Sequence, residues 1–318
     1  MPLTHLTRVD GYDAIRLRSA SAHLDATFVP IAGMVGASLR DGGEELLGRG
    51  LGVHCYARGG TTMGIPLLHP WANRLAADEY RVNGTAVRLR PDSPLVARDE
   101  HGLPIHGLLG GSPHWALRHC NINGNGDAAW ALSAEIDFGA HPELLEAFPF
   151  PHRLALDVAL RRRTLTVRST LTATGEHAVP VSFGFHPYLR LPDAARADWH
   201  VELPAMRHLE VDARSIPTGA SRLVAAAGGP LGARTFDDGY VDVADGAEFA
   251  VAGGGRRITV RFEQGYRAAQ VFAPASHDVI CFEPMTAPTN ALNSGDRLSL
   301  VAPGERYTAT FSITVERP

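Results

Sequence analysis

The sequence predicts an all-β chain built as a large antiparallel β-sandwich. Three observations carry that expectation. Apolar and polar residues alternate with a period of two over long segments. The 33 Gly and 22 Pro are spread along the whole chain, as turns between many short strands require. Helical periodicity is poor: the best stretch, His141 to Phe148, sets Leu144, Leu145 and Phe148 at i, i+1 and i+4 and amounts to one or two turns.

Leu154, Leu156, Val158 and Leu160 fall two apart, and Leu165, Val167, Ser169 and Leu171 continue the period after Arg161-Arg162-Arg163. This is either two strands across a tight turn or one long strand with a break. Glu248 to Val251, Gly253-Gly254-Gly255 and Ile258 to Phe262 read as a hairpin. Near the end, Tyr307, Ala309, Phe311, Ile313 and Val315 alternate with Thr308, Thr310, Ser312 and Thr314, a strand with one wet face. There is no internal repeat and no low-complexity segment. All-β domains often exceed 200 residues, so the 318 residues read as a single domain, 1–318. A chain of this length needs no disulfide staples to bury a large core.

Composition removes several mechanisms. All 30 basic residues are Arg and none is Lys. That excludes a substrate imine, an anchored pyridoxal phosphate, a phosphate loop with its Lys, and a Lys general base. Codon bias in a GC-rich genome accounts for such a composition, so the absence filters mechanisms without choosing one. The formal charge of −4 and pI near 6.4 give no reason to expect nucleic acid or an anionic membrane. Cys55, Cys120 and Cys281 are odd in number and widely spaced, as buried thiols in a reducing compartment would be. Met1 to Pro30 lacks a basic start followed by an apolar run, and no stretch of about 18 apolar residues occurs. The expectation is a cytoplasmic chain, monomer or homodimer, with no membrane partner.

Four segments depart from plain alternation and gather polar groups among Gly, Pro and aromatics, as loops at a sheet surface do. In Gly64 to Leu75, Asn73-Arg74 sets an amide beside a guanidinium able to clamp hydroxyls; a salt-bridged Arg in a surface turn fits equally. In His101 to Gly110, His106 precedes Gly107 amid apolar residues, as a pocket donor or a satisfied core His. In Val181 to Leu189, Phe183, Phe185 and Tyr188 surround His186; aromatic faces suit the C–H face of a sugar, with the His supplying a proton. In Val279 to Leu292, Glu283 follows an apolar run and precedes Pro284. Burying it unpartnered would cost several kcal/mol, and desolvation would raise its pKa, which suits a general base. The turn-like Thr235 to Tyr240, with Asp237-Asp238, is a weaker candidate. The row His101, His106, His114, His119 invites a metal, but its spacings of 5, 8 and 5 match no common zinc pattern and no His-Glu-x-x-His occurs, so no metal is expected.

In this order the segments resemble the aldose 1-epimerase (galactose mutarotase) family over nearly the whole chain. Ala32 to Leu39 with Glu44 to Leu47 is similar to its early Gly-Ala strand and Glu-x-Leu turn. Ala72-Asn73-Arg74, Ile105-His106-Gly107, Gly184 to Tyr188, Asp237 within Phe236 to Tyr240, Gln270 in Ala269 to Phe272, and Glu283 in Phe282 to Thr286 resemble the family's site motifs. The resemblance implies a galactose mutarotase-like supersandwich with a cofactor-free sugar site. It also implies interconversion of α and β anomers of an aldose, with Glu283 as base and His186 as acid. Arg74, Asn73, His106, Asp237 and Gln270 would bind the substrate, with Asp238 an alternative to Asp237. The Glu-Pro-Met-Thr sequence resembles a bacterial branch distinct from the galactose-operon one. Two other functions fit the same resemblance. A hexose 6-phosphate epimerase-like protein would need further Arg at the rim, and a non-catalytic carbohydrate-binding protein would have no use for the acid–base pair.

Overall fold

The structure, a computed structural model, describes residues 3–59, 61–120 and 131–317. Among them two antiparallel sheets dominate. One has nine strands in the order Ala227–Pro230, His200–Leu203, Ala247–Gly253, Arg256–Gln264, Arg306–Glu316, Thr164–Ala173, His152–Arg161, Leu132–Asp137 and Ala116–Cys120. The other runs Pro217–Val224, Met206–Val211, Phe236–Val241, Ala268–Ala273, Ile280–Met285, Gly184–Phe185 and Leu67–Leu68, and Tyr188–Leu189 also pairs with Ile280–Met285. A five-stranded meander from Leu3–Val9 to Glu44–Glu45 precedes them.

The strand expectations resolve cleanly. His152–Arg161 and Thr164–Ala173 are two strands, paired with Leu160 opposite Leu165 across the short Arg162-Arg163 connection. Ala247–Gly253 and Arg256–Gln264 form the hairpin, turning on Gly254 (φ +58°) and Gly255 (φ +72°). Two consecutive left-handed residues suit a turn that must follow the twist of its strands, and glycine adopts them without strain. Arg306–Glu316 lies mid-sheet, between Arg256–Gln264 and Thr164–Ala173. Its Thr308, Thr310 and Thr314 are half-buried rather than fully wet, and the Thr314 hydroxyl lies 3.0 Å from that of Thr164. The helical stretch is confined to Pro142–Ala147, opened by Pro142, whose fixed φ and missing N–H suit the first turn.

The sheets pack face to face through aromatic side chains. Phe249 stacks on Phe262 of its own sheet at 4.7 Å and meets Phe282 of the other at 5.7 Å, while Phe185 meets Phe311 at 5.0 Å. The period of two then decides what the outer face carries. Val271 opposite Phe282 is buried between the sheets, so their neighbours Gln270 and Glu283, also opposite each other, point to the other side. That side of the eight-stranded sheet holds the candidate site.

A buried ionic cluster fastens the meander to the nine-stranded sheet. Asp41 is 1% exposed and meets Arg163 at 2.8 Å, Arg256 at 3.1 Å and Arg317 at 2.8 Å. Burial alone would raise the Asp41 carboxyl, but Arg317, Arg163 and Arg256 outweigh it and hold the pKa below the usual value. Arg256 contacts Asp193 as well. Among the described residues no helix is long and apolar enough to cross a membrane, and Cys55, Cys120 and Cys281 are free thiols.

Candidate active site

Backbone hydrogen bonds weave the four chemistry-bearing segments together. The Ala72 N–H donates to the Ser182 carbonyl (2.6 Å), Thr286 to Phe183 (2.9 Å), Asn290 to Arg74 (2.9 Å) and His106 to Asn73 (3.0 Å). Sequence positions 200 residues apart therefore share one floor. Asn73 (φ +56°) and His106 (φ +64°) both take left-handed backbone conformations. Gly107 (φ +74°) presses against the chain so closely that a Cβ there would sit 2.2 Å from the His69 carbonyl oxygen. Only glycine fits, and this close approach fixes where the His106 backbone lies.

At the centre, His186 Nε2 lies 3.1 Å from Glu283 Oε1, both side chains almost wholly buried. The His186 ring stacks on Tyr188 (4.3 Å, 13°), whose hydroxyl sits 3.4 Å from Nε2 and 2.5 Å from Thr62 Oγ1. Phe272 meets the same ring edge-on at 5.7 Å. Burial pushes the Glu283 carboxyl well above its ordinary range; the Asp237 charge adds to this and Arg74 opposes it. Burial also pushes the His186 imidazole well below its ordinary range, with His106 adding to the effect. Both shifts have one cause, the removal of charged forms from water. Their shared consequence is a dyad that carries a single proton and no net charge. Glu283 Oε2 and His186 Nδ1 have no protein partner. Buried polar atoms without a partner in a site are places where a ligand's groups can complete the hydrogen bonding.

Arg74 flanks the dyad. Its Nε donates to Asp99 Oδ2 (2.6 Å), one terminal nitrogen to Asn73 Oδ1 (3.2 Å) and the other towards the exposed Glu100 (3.5 Å). Asp99 is itself held by the backbone N–H groups of His101 (2.9 Å) and Leu103 (2.8 Å). Burial would raise the Asp99 carboxyl, but Arg74 and these two N–H groups hold it below its usual range, so it stays an anion. The His106 ring stands at 87° to that of His186, 5.6 Å away. Burial first, then the Arg74 charge, lower its pKa to about 3 against the opposing pull of Asp99, so His106 is neutral at ordinary pH.

Strand register separates the two aspartates. Asp237 lies two residues from Gly239, which faces Gln270, and Gln270 Nε2 donates to Asp237 Oδ1 (2.7 Å). Asp237 thus shares the face of Glu283. Asp238 points the other way and pairs with His208 Nε2 at 2.9 Å. All seven residues singled out in the sequence (Asn73, Arg74, His106, His186, Asp237, Gln270 and Glu283) gather on this side of the sheet. One expectation needs correction. Phe183 and Phe185 do not flank His186: both are buried in the core, because alternation puts Gly184 and His186 on the site side instead. The aromatic neighbours of His186 are Tyr188 and Phe272. His106 and His114 of the histidine row have separate neighbours: His106 faces His186 while His114 stacks on His141.

Asp99 was not legible as a site residue. It stands in Arg98-Asp99-Glu100, which reads as a charged surface loop, and its one local signal is Gly102 three residues on, typical of a turn closed by an Asp side chain. A cavity of about 370 Å³ adjoins the site on the His106 and Thr62 side, and among its lining residues Arg58 is the only arginine.

Comparison with known proteins bears on this arrangement. The family model for aldose 1-epimerase matches residues 37–314, which span every residue of the site. The uncharacterized protein YihR of Escherichia coli K12 is 26% identical over 271 residues, 80% of this chain and 81% of that one. A galactose mutarotase-like protein from Clostridium acetobutylicum superposes with a TM-score of 0.82 at 16% identity, covering 100% of this chain and 99% of the other. The galactose 1-epimerase of Lactobacillus acidophilus NCFM does so with a TM-score of 0.73 at 16% identity, covering 99% and 98%. At such identities the two structures share the fold of this chain, an all-β sandwich of the galactose mutarotase kind. The extent of the family match places the chain itself: it belongs to the aldose 1-epimerase family.

Proposed function

We propose that this chain is a mutarotase, interconverting the α and β anomers of a free aldose as a single domain. The observation that carries the proposal is the buried Glu283–His186 dyad, with Nε2 and Oε1 3.1 Å apart. Ring opening of a hemiacetal needs a base at the C1 hydroxyl and an acid at the ring oxygen O5. The reaction starts from the tautomer of the dyad with its proton shifted across the 3.1 Å contact onto His186: Glu283 takes the O1 proton and His186 delivers one to O5 while the C1–O5 bond breaks and C1=O1 forms. Rotation about C1–C2 turns the other face of the aldehyde to the O5 hydroxyl. Reclosure returns a proton from Glu283 to O1, and His186 recovers its own from O5. Protons and electrons balance without a redox step.

A dyad holding one proton suits this reversible exchange, because each direction starts from a form the other direction regenerates. General acid–base catalysis of this kind contributes roughly 10²- to 10⁴-fold per positioned group. Arg74, permanently charged, polarises O5 or a neighbouring hydroxyl without competing for the proton. Neutral His106 donates or accepts a hydrogen bond there. Asn73, Asp237 and Gln270 hold the ring hydroxyls. A hexose 6-phosphate would need several cations, and Arg58 alone in the adjoining cavity is a poor phosphate site.

Polarimetry tests the proposal. Freshly dissolved α-D-glucose, α-D-galactose and a panel of other aldoses should lose excess rotation faster with the protein than in buffer. Saturable sugar binding without acceleration for any aldose would replace the mutarotase by a carbohydrate-binding protein.

A further inference from the structure

Away from the dyad, a second cluster of metal-ligating side chains forms where the segment entering the strand Ala116–Cys120 meets the short helix Pro142–Ala147. His114 Nε2 lies 3.3 Å from Glu143 Oε1, and His141 Nδ1 lies 3.5 Å from the same oxygen. The three donor atoms are all within 4.8 Å of one another. The two imidazole rings stack at 4.0 Å and 30°. A tetrahedral ion with ligand distances near 2.0–2.1 Å separates its donors by about 3.3–3.4 Å. Both nitrogen–oxygen separations lie close to that edge, and binding one ion would require the stacked rings to turn so that both nitrogens face it.

The geometry points to a divalent transition-metal site of the zinc class, ligated by His114, His141 and Glu143 with one coordination position left to water. Two imidazole nitrogens and one carboxylate oxygen form a borderline donor set, favouring zinc, cobalt, nickel or copper over magnesium or calcium. The ligands are also held in advance. Pro113 precedes His114 and Pro142 follows His141, and the His141 carbonyl accepts the N–H groups of Leu144 (3.0 Å) and Leu145 (3.1 Å). Side-chain exposures of 35%, 23% and 47% for His114, His141 and Glu143 leave an entry route for the ion. His114 also lines the cavity beside His106, so a bound ion would tie that wall to the helix. Histidine spacing along the chain could not show this site, because its second imidazole and its carboxylate come from beyond the row, 27 and 29 residues after His114.

The test uses the full-length protein, stripped of metal and titrated with zinc chloride against a chromogenic chelator. One zinc per chain should bind saturably, and excess magnesium or calcium should not displace it. His114→Ala, His141→Ala and Glu143→Gln should each weaken binding by about tenfold or more, since each removes one of three protein ligands. His119→Ala should leave it unchanged. Copper(II) added in place of zinc should give an electron paramagnetic resonance spectrum with coupling to two nitrogens in the wild type, and to one in either single His variant. The zinc-induced rise in unfolding midpoint should vanish in the His114→Ala/His141→Ala double variant, and the chelator-treated variant should unfold as the chelator-treated wild type does. Absence of saturable zinc binding, or full binding in the double variant, would overturn the assignment. The outcome is independent of whether any sugar is turned over.

Discussion

Replacing Asp99 by Asn isolates the support of Arg74. Asp99 Oδ2 accepts Arg74 Nε at 2.6 Å, with 2% and 9% of the two side chains exposed, while Oδ1 accepts two backbone N–H groups. Asn keeps the size and the turn but turns an N–H towards Arg74 Nε and removes the negative charge. The other carboxylate paired with Arg74, Glu100, is 67% exposed and 3.5 Å away, too solvated to substitute. A charge-assisted hydrogen bond in such a place contributes about 1.5–3 kcal/mol. If Arg74 acts on the developing charge at the ring oxygen, losing its anchor should lower kcat/KM by roughly 10- to 100-fold, since each 1.36 kcal/mol is tenfold. The unfolding free energy should fall by about the same 1.5–3 kcal/mol. Polarimetric initial rates and urea unfolding measure the two quantities on one preparation. A variant within twofold of wild type in kcat/KM would refute the claim that Asp99 positions Arg74 for the reaction.

Further outcomes follow from the same electrostatics. The acid limb of kcat/KM should lie below pH 6.5, because burial lowers His186 and the dyad resists a second proton; an acid limb at or above 6.5 would contradict this. His152, held near a pKa of about 4 by burial that outweighs the opposing Phe150 carbonyl and Asp137, stays neutral in the fold while the unfolded chain protonates it below 6.5. Stability is therefore lost as pH falls from 6.5 towards 4, and urea unfolding at pH 5 should show about 1.8 kcal/mol less than at pH 7 from this residue alone. Asp41 has a dependence of the same sign at lower pH. Its lowered pKa gives stability that is fully present above the ordinary carboxylate value and lost as pH falls through the folded one. Asp41→Ala should cost about 3–5 kcal/mol in urea unfolding, because Arg256 would be left buried without its central partner.

What could be read from the chain follows the range of the interactions involved. Hairpins such as Ala247–Gly253 with Arg256–Gln264 are local, and alternation plus a glycine turn announces them. The dyad was legible because His186 and Glu283 each stand in short motifs whose composition departs from plain strands. Sheet order was not legible, since Arg306–Glu316 takes its central place through pairing with residues some 50 and 140 positions away. The side each residue faces depends on that pairing. Phe183 and Phe185 therefore turn to the core while Gly184 and His186 turn to the site, and Asp237 separates from Asp238. Asp99 and the His114–His141–Glu143 cluster depend on loops meeting in space, for which sequence spacing carries no signal. The lack of Lys does not disturb the site, since a carboxylate, two imidazoles and one guanidinium supply every charge and proton that the proposed chemistry uses.

The most direct measurement is the polarimetric rate of Glu283→Gln beside the wild type, with unfolding curves to show that the fold survives. Gln keeps the shape of the 3.1 Å contact to His186 but cannot take a proton. The account predicts that acceleration of anomer exchange falls by at least about 100-fold, the lower range for a positioned general base. Retention of wild-type acceleration in a folded Glu283→Gln protein would contradict it.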